Sequence, residues 1–390
     1  MSLMEHVARR RAPTLVTTPT RSGLKLAAEK LLYGVLPPVL FLSLMAMWIS
    51  LGYGQRFGFD FKPLWEGARH VLSGASPYPA HTSALRNEQQ FVYPPIAALV
   101  AAPVAFLPFA AAATVYALVL AGLTALTLRI LGVTDWRCYG LALLWLPVIE
   151  AIALGTITIP LALGLAVAWR YRDRRWIPVL AIAALIAAKV FLWPLLFWLV
   201  ATRRGLAAVQ TLALAVAAVL CSWALIGFAG FTTYPRLLDN LARLLQWKSY
   251  SSTALGLALG LTRGEAHLVS FACGGAVLVA VVVLGRRAGD PNADRYAFIA
   301  AIGAAFLLTP IVWMHYLALL LVPVAITRKR LTPLWFVPLA MWATPGQSHG
   351  HLWRVAIGVS VWVVVLVLSM RSRWPVPSFR RTAAVAPLEA

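Results

Sequence analysis

The sequence predicts an all-α polytopic membrane protein of about 12 transmembrane helices, with short interfacial helices in its outer loops. Three observations carry this reading. Of 390 residues, 61% are hydrophobic and 12% charged, about half the charged share of an ordinary soluble domain. The apolar residues come in long continuous runs, which excludes a transmembrane barrel, whose strands alternate apolar and polar positions. The net charge of +21 sits in short Arg blocks between those runs, as expected of cytoplasmic loops facing anionic lipid rather than of a nucleic-acid surface.

Residues 1–30 form a basic tail with Arg9-Arg10-Arg11, Arg21, Lys25 and Lys30, so the N-terminus is expected in the cytoplasm. The first apolar run, Leu31 to about Tyr53, has no small-residue cleavage pattern and reads as an uncleaved anchor. Residues 31–370 form the membrane domain, with one outer loop at 54–92 and a second at 230–265. In the first, Phe61 to Ser73 has Leu64, Ala68 and Val71-Leu72 on one side, an amphipathic interfacial helix. In the second, Tyr234 to Trp247 shows the same pattern, with Arg236, Asp239, Asn240 and Arg243 opposite its leucines. Phe109 to Ile130, Cys138 to Leu154 and Ile157 to Trp169 are expected crossings, and so are Leu206 to Phe228, His267 to Leu284, Tyr296 to Leu308, Val312 to Ile326, Leu334 to Ala343 and Val355 to Met370. Residues 371–390 are a second basic tail, also expected in the cytoplasm.

Trp176 to Ala201 is a different case. It is one apolar run with Lys189 at its centre and Arg blocks at both ends, Arg174-Arg175 and Arg203-Arg204. A straight crossing would put one block outside. Two short arms folded into a V put both inside and Lys189 at the outer apex. Each arm of roughly 12 residues reaches about 18 Å against a hydrocarbon core of about 30 Å, so the arms need either a thinned bilayer or a protein-lined cavity above them.

Few groups can do chemistry. Of the 13 acidic residues, Glu5, Glu29, Asp135, Asp173, Asp290, Asp294 and Glu389 fall on the cytoplasmic side. Asp60, Glu66, Glu88, Glu150, Asp239 and Glu265 remain near the outer face. Asp60, at the end of the first span, is either a general base partly withdrawn from water or the N-cap of the interfacial helix. A lysine mid-span is costly and often functional; Lys189 either binds an anion such as a lipid phosphate or snorkels to a carbonyl or to Glu150. His315 is either a hydrogen-bonded core residue or a donor to phosphate or sugar. Cys138, Cys221 and Cys273 are far apart and read as small hydrophobes. His349 and His351 have no supporting ligands, and the sparse outer carboxylates argue against a metal. Walker A and dinucleotide-binding motifs are absent, so any activating group should arrive dissolved in the lipid.

Asp60-Phe61, Trp65-Glu66-Gly67-Ala68-Arg69, Gly74-Ala75-Ser76-Pro77-Tyr78 and Tyr93-Pro94-Pro95, with Pro103 and Leu107-Pro108 behind, resemble glycosyltransferase family 87. Lys189 with Pro194 and Arg203-Arg204, and Trp313-Met314-His315-Tyr316, fit the same pattern. The resemblance covers roughly residues 31–370. It implies a membrane glycosyltransferase of the C-type fold that uses a polyprenyl-phosphate sugar as co-substrate and no other cofactor. Relatives include the mycobacterial α-1,2-mannosyltransferases of phosphatidylinositol mannosides and lipomannan, and arabinofuranosyltransferases. It implies Asp60 as the base in an inverting transfer to a glycolipid or glycan acceptor on the outer face of the cell membrane. Lys189 and His315, with Arg69 and Arg263 behind them, would hold the donor phosphate. Glu66, Trp65, Tyr93 and Trp313 would contact sugar or lipid. The chain departs from relatives at Gly155-Thr156-Ile157-Thr158 and at His315-Tyr316, which bears on sugar and acceptor rather than on fold. The rival reading is a transporter or flippase of a lipid-linked sugar, which needs no base. A third is a non-catalytic partner in wall assembly.

Overall fold

The structure, a computed structural model, describes residues 21–78, 90–287 and 290–371. The basic tails up to residue 20 and beyond residue 371, together with Pro79 and Glu88, lie outside the described residues. Helices dominate; among the described residues the one β contact is an isolated bridge between Tyr53 and Phe57.

The chain opens with α1 (Arg21–Lys30), which continues through a π-helical turn at Leu31–Val35 into α2 (Leu36–Ser50). A glycine-rich turn leads to α3 (Phe61–Leu72), at the bounds expected from its apolar face: Phe61, Leu64, Ala68 and Val71 are buried. Next, α4 (Pro95–Ala98) passes into a 3-10 segment containing Pro103, and α5 (Phe109–Ile130) starts after Pro108. The expected single crossing from Cys138 to Leu154 is instead two helices, α6 (Trp136–Leu143) and α7 (Leu146–Ala153), bent by 64°. Pro147 explains the break, because its ring cannot donate to, and clashes with, a continuing helix. There follow α8 (Thr158–Arg170), α9 (Ile177–Ala188), α10 (Leu195–Ala201), α11 (Gly205–Ala224), α12 (Tyr234–Leu245), α13 (Ser252–Ala258), α14 (Arg263–Gly285), α15 (Ala293–Leu308), α16 (Leu321–Thr327) and α17 (Leu352–Met370). The segments Met314–Leu320 and Pro333–Ala343 are 3-10 rather than α-helical.

Among the described residues five helices are long and apolar enough to cross a membrane, six if the bent α6–α7 pair is one span. The remaining apolar helices are shorter, so the expected count of about 12 crossings rests on segments that helix length alone does not qualify. This marks the chain as a membrane protein. Its polar side chains collect at two ends of the bundle.

At one end Asp294, at the start of α15, accepts from Arg172 Nε (3.0 Å), Arg204 Nη2 (3.0 Å) and Trp198 Nε1 (2.6 Å). Arg172 precedes α9 and Arg204 follows α10. Their meeting on one carboxylate shows that α9 and α10 fold back as a V, with Lys189 at the apex. At the same end Arg137 holds the Asp135 carboxyl down to about 2, chiefly by its side-chain hydrogen bond. Asp135 also caps α6 and accepts from Leu331 N–H.

At the other end the backbone is irregular and closely tied. Gly58 N–H donates to Ala153 O (2.7 Å), and Asp60 and Phe61 N–H both donate to Leu154 O (3.0 Å each). Phe61 stacks on Tyr116, with centroids 4.5 Å apart. This close approach needs Gly155: its φ is +70°, and a Cβ there would lie 2.6 Å from Phe61 Cβ. Tyr250, fully buried, donates to Thr344 O (2.7 Å) and Gly346 O (3.0 Å) and takes its own backbone partner from Val312.

Two expectations follow. Asp294→Ala removes the carboxylate that two partly buried guanidinium groups share, leaving Arg204 the longer pairing with Asp173, and should destabilise the protein by about 2–4 kcal/mol; an unchanged thermal unfolding midpoint in detergent would show that Asp294 does not hold the V closed. Gly155→Ala should cost about 2 kcal/mol or more, from the left-handed backbone and the collision with Phe61, read by the same midpoint.

Candidate active site

The sequence brings Asp60 to the mouth of the bundle through backbone alone. Gly52, Gly54 and Gly58 take positive φ angles of +109°, +74° and +72°, which only glycine adopts readily. They turn the chain sharply between α2 and α3. The Leu154 carbonyl then fixes the Asp60 backbone. Asp60 occupies the N-cap position of α3, but its side chain makes no capping hydrogen bond. The carboxylate instead lines a cavity of about 480 Å³.

Asp60, Lys189, His315, Tyr93 and Trp313 all line this cavity. His315 Nδ1 stands 3.8 Å from Asp60 Oδ2; the two side chains are 7% and 24% exposed. His315 enters the wall because residues 309–313 leave the helical path. That stretch is tied down by Tyr250 N–H on Val312 O (2.7 Å) and by Ser251 Oγ on Pro310 O (2.8 Å). Lys189 sits where α9 ends, in extended conformation (φ −153°, ψ 99°). Its Nζ lies 3.8 Å from the Tyr316 ring centre and 5.3 Å from that of Tyr93. Two aromatic faces stabilise an ammonium by cation–π attraction while leaving its donors for a ligand. Tyr316 itself lines the same cavity.

Tyr93 is positioned from behind. Its carbonyl accepts from Tyr78 Oη (2.6 Å), and the neighbouring Val92 carbonyl accepts from Tyr234 Oη (3.1 Å). Tyr78 stacks on Trp223 at 4.8 Å. The amphipathic helix α12 contributes Tyr234, Leu238, Leu241, Ala242 and Leu245 to the lining, and Trp313 packs against that face.

The other expected site residues stand away from the lining. Trp65 packs edge-on against Phe109 (5.5 Å), and Arg69 lies 4.8 Å over the Trp65 ring. Glu66 is exposed and 4.0 Å from Lys62. Arg263 pairs with Asp239 at 3.0 Å. Arg243 first, with Arg263 behind it, holds that exposed Asp239 carboxyl below the usual carboxylate range. Arg263 is therefore engaged at the surface.

The structure adds residues that the motifs did not single out for a role in the site. Arg56 and Gln55, on the glycine turn beside Asp60, line the cavity, as do Gln90 and Gln347. Glu150 lines it too, 5% exposed, and accepts from Gly346 N–H at 3.1 Å. A lone acid in an apolar run is the available signal for Glu150; for Arg56 it is a cation bracketed by turn glycines. Among the described residues no three His, Cys, Asp or Glu side chains group as a metal site would require.

The arrangement places a carboxylate beside an imidazole, and both near a lysine. It can take a proton from a hydroxyl at one point and receive a negative charge at another. Comparison with known proteins agrees in class. A family model described as glycosyltransferase family 87 matches residues 91–310, over half of the chain. The match includes Tyr93, Glu150 and Lys189, while Asp60 and His315 fall outside it. No curated protein and no solved structure matches the chain. The chain belongs to glycosyltransferase family 87, a family of membrane glycosyltransferases.

Proposed function

We propose that this enzyme moves a sugar, mannose first among the candidates, from a polyprenyl phosphate to a lipid- or glycan-linked acceptor, with inversion at the anomeric carbon. The observation that carries the reading is the convergence of Asp60, His315 and Lys189 on one cavity. Asp60 is the general base: its carboxylate takes the acceptor hydroxyl proton as that oxygen attacks the anomeric carbon. The new bond forms on one face of the sugar. The bond to the phosphate oxygen breaks on the other, and its electron pair leaves with polyprenyl phosphate. Lys189 faces the charge that develops on that phosphate, where a fixed cation in an apolar cavity is most effective. His315 sits beside Asp60 and orients it or donates to the phosphate. Arg56 is a second cation at the cavity wall and takes the supporting place that the resemblance had given to Arg69 and Arg263.

The apolar lining supports a lipid donor. Phe59, Val190, Phe191, Leu238 and Leu241 offer surface for isoprene units. No nucleotide-binding loop is needed, because the lipid phosphate is the activating group. The C-type fold, a site on the outer side of the cell membrane and cytoplasmic termini complete the proposal. They rest on the Arg-rich character of the opposite end and on the family. Kinship with the mycobacterial mannosyltransferases belongs to it in the same way, as does the absence of a metal requirement.

Asp60→Asn keeps the shape of the side chain and removes the base. Transfer from polyprenyl-phosphate mannose or arabinose in membranes should fall about 10²–10⁴-fold, with protein levels unchanged. Wild-type rates in that variant would remove Asp60 from the mechanism and favour transport of the lipid-linked sugar. Lys189→Met should lower turnover about 10²–10³-fold; single-turnover rates equal to wild type would show that Lys189 does not meet the leaving phosphate.

A further inference from the structure

The cavity holds a second carboxylate that the proposed chemistry does not use. Glu150 is buried, yet it lines the same cavity as Asp60. The two are set on one backbone unit: Leu154 N–H donates to Glu150 O (2.9 Å), and Leu154 O accepts from Asp60 and Phe61. Their separation is therefore held by hydrogen bonds, not by flexible loops.

Glu150 is also fixed from the opposite wall. Gly346 N–H donates to Glu150 Oε1, and Gly346 O accepts from the buried Tyr250 hydroxyl. Among the described residues Gly346 N–H is the donor that reaches this carboxylate. A carboxyl group has about four hydrogen-bonding positions, and one amide fills one of them, while the side chain lines the cavity.

A carboxyl group in this position, ionised or protonated, suits a neutral molecule rich in hydroxyls. The cavity thus has a lysine wall at Lys189 and a carboxyl wall at Glu150, and the two offer different partners to a ligand. Building on the transfer reaction above, we infer that Glu150 is a specificity-determining residue that binds ring hydroxyls of the transferred sugar, with Gln347 beside it on the loop that carries Gly346. A hydroxyl paired with a carboxyl group in a buried site contributes about tenfold in affinity. A sugar lacking the matching hydroxyl leaves the carboxylate buried without that donor.

The test compares binding of bare polyprenyl phosphate with polyprenyl-phosphate mannose and arabinose by the purified protein in lipid nanodiscs. Mannose donors lacking one hydroxyl at a time complete the set. The wild-type protein should prefer at least one sugar-bearing lipid over the bare lipid. It should lose about tenfold or more in affinity for a particular deoxy donor. Glu150→Gln, which keeps an acceptor for Gly346 N–H, should erase most of that preference, leave affinity for the bare lipid unchanged and become indifferent to the same deoxy donor. A wild-type protein that binds bare and sugar-bearing lipid equally overturns the inference. So does a Glu150→Gln variant that discriminates as well as wild type. The wild-type series with deoxy donors needs no variant, so a folding defect cannot imitate the result. Failure of the base assignment is separate: it would show as retained turnover in Asp60→Asn, with the sugar preference untouched.

Discussion

Backbone polar groups in an apolar bundle must find partners, and each one left unpaired costs several kcal/mol. This chain breaks its helices repeatedly at one end. The breaks fall at Gly155 between α7 and α8, at Lys189 between α9 and α10, at residues 309–313 after α15, and at residues 344–350 before α17. Three of the four are met by a specific bond: the Leu154 carbonyl accepts from Asp60 and Phe61, the Tyr250 hydroxyl donates to Thr344 and Gly346, and Ser251 donates to Pro310. The freed side chains are the ones that line the cavity. Site and irregular backbone are two aspects of one solution.

Much of this could be read from the residues. The apolar period placed α3 and α12 within a residue or two, because an interfacial helix has one wet and one greasy face. The Arg blocks flanking Lys189 required a V, and Asp294 shows both flanks meeting. What escaped had physical reasons. Cys138 to Leu154 reads as one run because hydropathy ignores Pro147, which bends it. Glu66 and Arg69 lie near Asp60 in sequence, yet they fall on the face of α3 opposite Leu64, Ala68 and Val71. The helical period already separated them from the buried side. Arg263 was near the right loop, but a surface carboxylate claims it. Glu150 drew notice as a possible partner for Lys189; its bond to a loop nearly 200 residues later is a long-range fact that no local pattern carries.

The two ends of the bundle divide the labour. At one end, paired charges around Asp294 and Asp135 tie helices together and leave little unspent. At the other, charges are held by aromatic faces and single amides, which leaves them capacity for a ligand. The contrast separates structural ion pairs from a site, and it needs no knowledge of the family.

The V of α9 and α10 also sets a depth. α5, with 22 residues, is about 33 Å long, whereas α9, with 12, is about 18 Å. Measured along its own axis, α9 therefore brings Lys189 to little more than half the length of α5. On the proposed chemistry, a phosphate that meets Lys189 has to enter between the longer helices. Reach then becomes a filter of its own, applied before any hydrogen bond is made.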